Sequence, residues 1–173
     1  MWAADGKAIF YVPEDGSRSS EIRFRELETG REKKLYRPAS PSRIRHLARS
    51  PDARWLAFGS SSGDYAPGEA LLVLPTAGGD PREGLSVQKG GLSGVGWTPD
   101  GRQLFFSRAG ESAPELWRIP LEGGQRQKLE SPANWQGGVS LHPDGRRIAF
   151  TAGKTRSEIW VMENFLPELG DAR

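Results

Sequence analysis

Apolar residues along this chain gather in short runs separated by turn residues, and the runs alternate at strand spacing. Four of them are variants of one phrase: WAADGKAIFYV, RSPDARWLAFG, WTPDGRQLFFS and LHPDGRRIAFT. Aligned on Asp5, Asp52, Asp100 and Asp144, the copies are spaced by 47, 48 and 44 residues. One residue before the aspartate stand Ala4, Pro51, Pro99 and Pro143; two after it stand Lys7, Arg54, Arg102 and Arg146. Four after it come Ile9, Leu56, Leu104 and Ile148, and six after it Tyr11, Phe58, Phe106 and Phe150. Those two sets share one face of a strand. The position between them, held by Phe10, Ala57, Phe105 and Ala149, is also apolar, so the strand is sandwiched on both sides.

The Pro-Asp-Gly unit predicts the turn into that strand: Pro presets φ, Asp accepts backbone N–H groups, and Gly permits φ > 0. Ala53 replaces Gly in the second copy, so that turn is expected to be strained or of another type. A further strand follows each time, at EIRFREL (21–27), ALLVLP (70–75), ELWRIP (115–120) and EIWVM (158–162). Gly30, Gly78-Gly79 and Gly123-Gly124 then mark turns into polar strands ending at Leu35, Leu85 and Leu129. Short segments RHLARS, GVGWT and GVSLH precede the Pro-Asp turns. Each unit thus reads as four antiparallel strands, A to D, with the A–B turn at the aspartate. Radial repetition of such units describes a β-propeller. The expected fold is all-β, with about four blades at roughly 1–36, 45–86, 94–130 and 138–162, and a tail at 163–173.

Composition agrees with many strands and tight turns: 22 Gly and 13 Pro in 173 residues, with six Trp and seven Phe concentrated in the runs. The net charge of +2 is uneven, because residues 1–50 hold 11 Lys/Arg against 7 Asp/Glu. In that quarter Arg and Lys alternate with Glu, as on a solvated strand face, and no nucleic-acid motif is present. There is no Cys, hence no disulfide and no Cys metal site. Neither a basic-then-apolar leader nor an apolar run of membrane length is found, so this stretch reads as soluble, with no membrane span and no assignable compartment.

The phrase S-P-D-G-R-apolar-A-F, followed by E-I-W-V and G-G-x-x-R-x-L, resembles the WD40-like repeats of TolB-type bacterial propellers. The resemblance covers about residues 2–162, with Pro-Asp at 51–52, 99–100 and 143–144 and Gly at 101 and 145. The ending EIWVMENFLP is similar to the end of propeller regions attached to bacterial serine/threonine kinases and transcription regulators. Such propellers close with six or seven blades. The resemblance therefore implies that this chain is the C-terminal part of a larger ring, extracytoplasmic if it belongs to a longer protein of that type. Open blade edges would then favour self-association.

Catalytic motifs are weak. Gly59-Ser60-Ser61-Ser62-Gly63 matches G-x-S-x-G, but loop residues follow where a nucleophile elbow needs a helix. His142 stands in the turn slot of Ser50 and Thr98. Gly153-Lys154-Thr155 resembles the end of a phosphate-binding loop, but the Gly needed five positions earlier is Ile148. With two His and no Cys, no metal site is expected, and each turn offers one Asp where a calcium loop needs several. No cofactor is expected.

Strand order places the short A–B and C–D turns at one end of the blades. The longer, varied B–C loops (13–20, 60–69, 108–114, 152–157) and D–A loops (36–44, 87–93, 130–137) lie at the other. They contain Arg18, Arg43, Asp64, Tyr65, Arg108, Asn134 and Trp135, types that dominate interfaces. The competing reading of Trp135 is packing beneath its own loop. The expectation is a non-catalytic module that binds a protein, peptide or glycan on that face. The alternative is the sensor or gating portion of a larger enzyme, such as a serine/threonine kinase or a prolyl-oligopeptidase-like peptidase.

Overall fold

The aspartate turns and their strands recur in the computed structural model, which describes residues 1–13, 21–62, 68–87, 91–111, 113–131, 134–142, 144 and 146–153. The first sheet contains β1 (Ala8–Tyr11), β2 (Ile22–Glu26) and β3 (Glu32–Tyr36) in that order. The second contains β4 (Arg43–Arg49), β5 (Trp55–Ser61), β6 (Glu69–Pro75) and β7 (Arg82–Val87). The third contains β8 (Leu92–Trp97), β9 (Gln103–Arg108), β10 (Glu115–Pro120) and β11 (Gln127–Leu129). The fourth pairs β12 (Trp135–Leu141) with β13 (Ile148–Ala152). All pairings are antiparallel. The chain is an all-β propeller. Trp2 makes a single antiparallel bridge to Ile9, in the slot expected for an A strand. The expected third strand of the fourth unit (158–162) and the tail lie outside the described residues.

The repeat slots line up in three dimensions. Tyr11 pairs with Arg23, Phe58 with Leu72 and Phe106 with Trp117. Leu56 and Phe58 pack with Phe10, Ile22 and Leu35 of the first sheet. Ala57, between them, turns the other way and packs with Leu104 and Phe106 of the third. The B strand is therefore apolar on both faces because it is core to two interfaces at once.

The A strands depart from expectation. They begin earlier than RHLARS, GVGWT and GVSLH imply, so Arg43 and Trp135 open strands instead of lying in D–A loops, and Arg108 closes β9. The reason is a register shift in each A strand, which breaks the alternation on which strand reading depends. His46 and Gly138 occupy the same slot, six residues before Asp52 and Asp144, with φ of 56° and 61°.

Candidate functional site

The two ends of the sheets are built differently. At the A–B turn end, Asp5 Oδ1 accepts Lys7 N–H at 2.9 Å, Asp52 accepts Arg54 N–H at 3.1 Å, Asp100 accepts Arg102 N–H at 3.0 Å and Asp144 accepts Arg146 N–H at 2.9 Å. In the second and third units a hydroxyl two residues earlier completes the unit. Ser50 and Thr98 each donate to their aspartate at 2.6 Å and each accept a strand N–H at 3.0 Å, from Trp55 and Gln103. Those bonds favour the anion: the hydroxyl first and then the backbone N–H hold Asp52 and Asp100 below the usual carboxylate range. Asp144 is also lowered, by the Arg146 N–H foremost. The aspartates are turn residues.

Ala53 does not change the turn. Its N–H bonds Ser50 O at 3.0 Å, as Gly101 bonds Thr98 O at 2.9 Å and Gly6 bonds Ala3 O at 3.2 Å. Its φ of 60° lies beside the 68° of Gly6 and Gly101. The same turn is retained, with the strain of a Cβ in left-handed backbone.

At the other end, register brings four of the sequence-selected residues to one side. Arg43 lies opposite Ser61, Arg108 opposite Leu92 and Glu115, and Trp135 opposite Ala152; Asn134 O accepts the N–H of Gly153 at 3.0 Å. Arg43 and Asn134 are exposed, the latter with φ of 60°. Arg108 is engaged within its own sheet: Nε donates to Glu115 Oε2 at 2.9 Å, and the guanidinium lies 5.2 Å from the Trp117 ring. Lys128 adds an ion pair to Glu115 at 2.7 Å. Together these donors, Lys128 foremost and Trp117 Nε1 next, depress the Glu115 pKa to about 2. Trp135 is 5% exposed and donates Nε1–H to Gly138 O at 3.2 Å, so its ring serves the interior. Arg18, Asp64 and Tyr65 lie outside the described residues.

One residue at this end escaped sequence reading. Glu69, 5% exposed, points between the second and third sheets. Its Oε2 accepts Leu92 N–H at 2.7 Å, while Oε1 is buried without a hydrogen-bond partner. A Cβ at Gly59 would stand 2.2 Å from that oxygen, so Gly59 is what admits the carboxylate. By strand register Ala70, not Glu69, matches Glu21 and Glu115, so Glu69 faces the opposite way. Gly59 also belongs to the G-x-S-x-G match. Within that match Ser61 ends β5 at the loop end, whereas His142 follows β12 at the turn end.

Repeated antiparallel sheets, two of them four-stranded among the described residues, with a regular turn end and a varied loop end define a propeller module. The comparisons with known proteins give its type. The chain is 33% identical to the Tol-Pal system protein TolB of Anaeromyxobacter dehalogenans over 92 residues, 53% of this chain and 21% of that protein. The structure of TolB from Acinetobacter baumannii superposes with a TM-score of 0.72 at 19% identity, covering 90% of this chain and 37% of that one. An oligogalacturonate lyase from Vibrio parahaemolyticus gives 0.70 at 16% identity, covering 86% and 44%. A prolyl endopeptidase gives 0.63 at 17% identity, covering 82% and 24%. No protein-family model matches. The fold is a TolB-like β-propeller, and the chain spans about a fifth of the length of the curated TolB relatives.

Proposed function

We propose that this chain is a non-catalytic propeller module whose loop end, carrying the B–C and D–A connections, recognises a protein or peptide partner. The observation that carries the reading is the 33% match to a protein named for the Tol-Pal system, a name that states no reaction. The placement of Arg43, Arg108 and Asn134 at the loop end of their sheets supports the choice of face. A glycan partner is the other ligand class this face could take. Changes of charge at the two ends test the reading. A partner bound by the parent chain should be lost with Arg43→Glu and Asn134→Arg and kept with Arg54→Glu and Arg102→Glu. The opposite pattern sinks it.

A second reading makes the chain the propeller portion of a larger enzyme. The likeness to a prolyl endopeptidase and an oligogalacturonate lyase favours it at the level of fold. Hydrolysis of a peptidyl ester by this chain, abolished by Ser61→Ala, would overturn the binding-module proposal.

A further inference from the structure

The repeat does not require charge on its A strands. In the slots nine and seven residues before the turn aspartate, the third copy has Gly91 and Ser93, and the fourth has Trp135 and Gly137. Neither β8 nor β12 carries a charged residue. The second copy has Arg43 and Arg45 in those slots. The two arginines belong to the second sheet and not to the fold.

Register fixes the face they take. Arg43 lies opposite Ser61, and Arg45 opposite Gly59. A Cβ at Gly59 would point at Leu92 and the Glu69 carboxylate, so this is the face turned to the third sheet. Ile44, between the two arginines, turns the other way and packs with Phe58 and Phe10. The remaining arginine of β4, Arg49, lies opposite Leu56 and also turns to the first sheet, so it takes no part. Arg43 and Arg45 are exposed, and Arg45 has no ion pair among the described residues. The carboxylates on the same gap are committed. Glu69 is 5% exposed, with Oε2 on Leu92 N–H. Glu115, on the facing sheet, takes Lys128, Trp117 Nε1–H and Arg108.

We infer that the loop-end half of β4 seats an extended acidic segment of the partner, whose carboxylates at i and i+2 pair with Arg43 and Arg45. The inference rests on the loop-end reading above and names the chemistry of that partner. Residues two apart on a strand face the same way, roughly 6.5–7 Å from each other. That spacing holds in β4 and in an extended partner alike, so successive same-face acids meet successive arginines. Each planar guanidinium can hold a carboxylate through two parallel N–H···O bonds. β8 and β12 add no acid that would repel the segment.

The test is fluorescence anisotropy of the whole chain with fluorescein-labelled Gly-Glu-Ser-Glu-Ser-Glu-Gly, and with the same peptide carrying Gln for Glu. The Glu peptide should bind at least about tenfold more tightly, and should weaken as salt rises. Arg45→Gln should cost it at least about tenfold, Arg45→Lys less, and Arg54→Glu at the turn end nothing, with each variant folded by circular dichroism. Equal affinity for the two peptides, unchanged binding by Arg45→Gln, or no binding at about 1 mM would each overturn the acidic class. Those results leave the loop-end reading standing, because Asn134→Arg with the parent chain's partner tests it separately. Binding lost with Arg54→Glu and kept with Arg45→Gln would overturn both. Tighter binding of tetragalacturonate than of the Glu peptide would overturn the choice of a peptide.

Discussion

Phe106 and Phe150 occupy the same slot of the same repeat, yet Phe106 is 1% exposed and Phe150 is 40% exposed. Their neighbours two residues earlier differ likewise: Leu104 is fully buried and Ile148 is exposed. The strands themselves are alike, each entered by an aspartate turn and paired with its A strand. The difference lies in what faces them. Phe106 meets Ala57, Leu71 and Val73 of the preceding sheet in one contiguous core. Phe150 and Ile148 join neither of the two apolar clusters formed by the described residues. A repeat phrase thus specifies a strand locally, while burial depends on the sheet beside it.

The largest test of that contrast is truncation. Phe106→Ala should cost about 3–5 kcal/mol in urea unfolding, because it leaves a cavity in a filled interface. Phe150→Ala should cost less than about 1.5 kcal/mol, since part of that ring already faces solvent. Equal costs would mean that the fourth sheet is as well covered as the third, and the comparison would fail.

A second variant probes how closely the second and third sheets are fitted. Gly59→Ala drives a methyl into the Glu69 carboxylate and should cost about 1–3 kcal/mol. Glu69→Ala removes the obstacle but leaves Leu92 N–H without its acceptor. The double variant should therefore be more stable than the sum of the two singles by about 1 kcal/mol or more. Strict additivity would show that the two side chains do not meet.

The repeat made much of the architecture readable in the sequence. Asp52 and Asp100 announce their turns through short-range chemistry, and Leu56, Phe58, Leu104 and Phe106 announce a strand apolar on one face with Ala57 and Phe105 on the other. The A strands were less readable, because the bulges at His46 and Gly138 shift the alternation that marks a strand. The loop end was readable as one end of the sheets, but the surroundings of its residues were not. Trp135 and Arg108 are interface types by composition, yet one is packed inward and the other is tied to Glu115 and Trp117. Glu69 was missed because its significance comes from Leu92 in an adjacent sheet, which no local pattern encodes.

Acid should separate the third sheet from the fourth. The Glu115 carboxyl, held at about 2 by Lys128, Trp117 and Arg108, stays ionised in the folded chain where the unfolded one takes up a proton. Its contribution is therefore complete above the ordinary carboxylate value of 4.5 and is lost as pH falls from there through about 2. Allowing for screening at the exposed Lys128, this amounts to about 1–2 kcal/mol. In Glu115→Gln the loss of stability between pH 5 and pH 2, measured by urea unfolding at each pH, should be smaller by about that amount. An unchanged pH profile would show that Glu115 makes no net contribution to it.

The smallest effect concerns the turns and should have the opposite sign. Ala53 and His46 hold left-handed backbone where Gly6, Gly101 and Gly138 stand in other copies. An L-residue in that region is strained by roughly 1–2 kcal/mol, part of which is offset by the greater unfolded-state freedom of glycine. Ala53→Gly should therefore stabilise by about 0.5–1 kcal/mol, and His46→Gly by a similar amount, raising Tm by about 1–4 °C in a chain of this size. The two sites lie in the second sheet, so their gains should appear in full only if that sheet unfolds with the rest. A gain in global unfolding would tie the turns to the shared core. A gain confined to local hydrogen exchange near β4 and β5 would mean that the sheets open separately, and would limit the burial contrast between Phe106 and Phe150 to one cooperative unit.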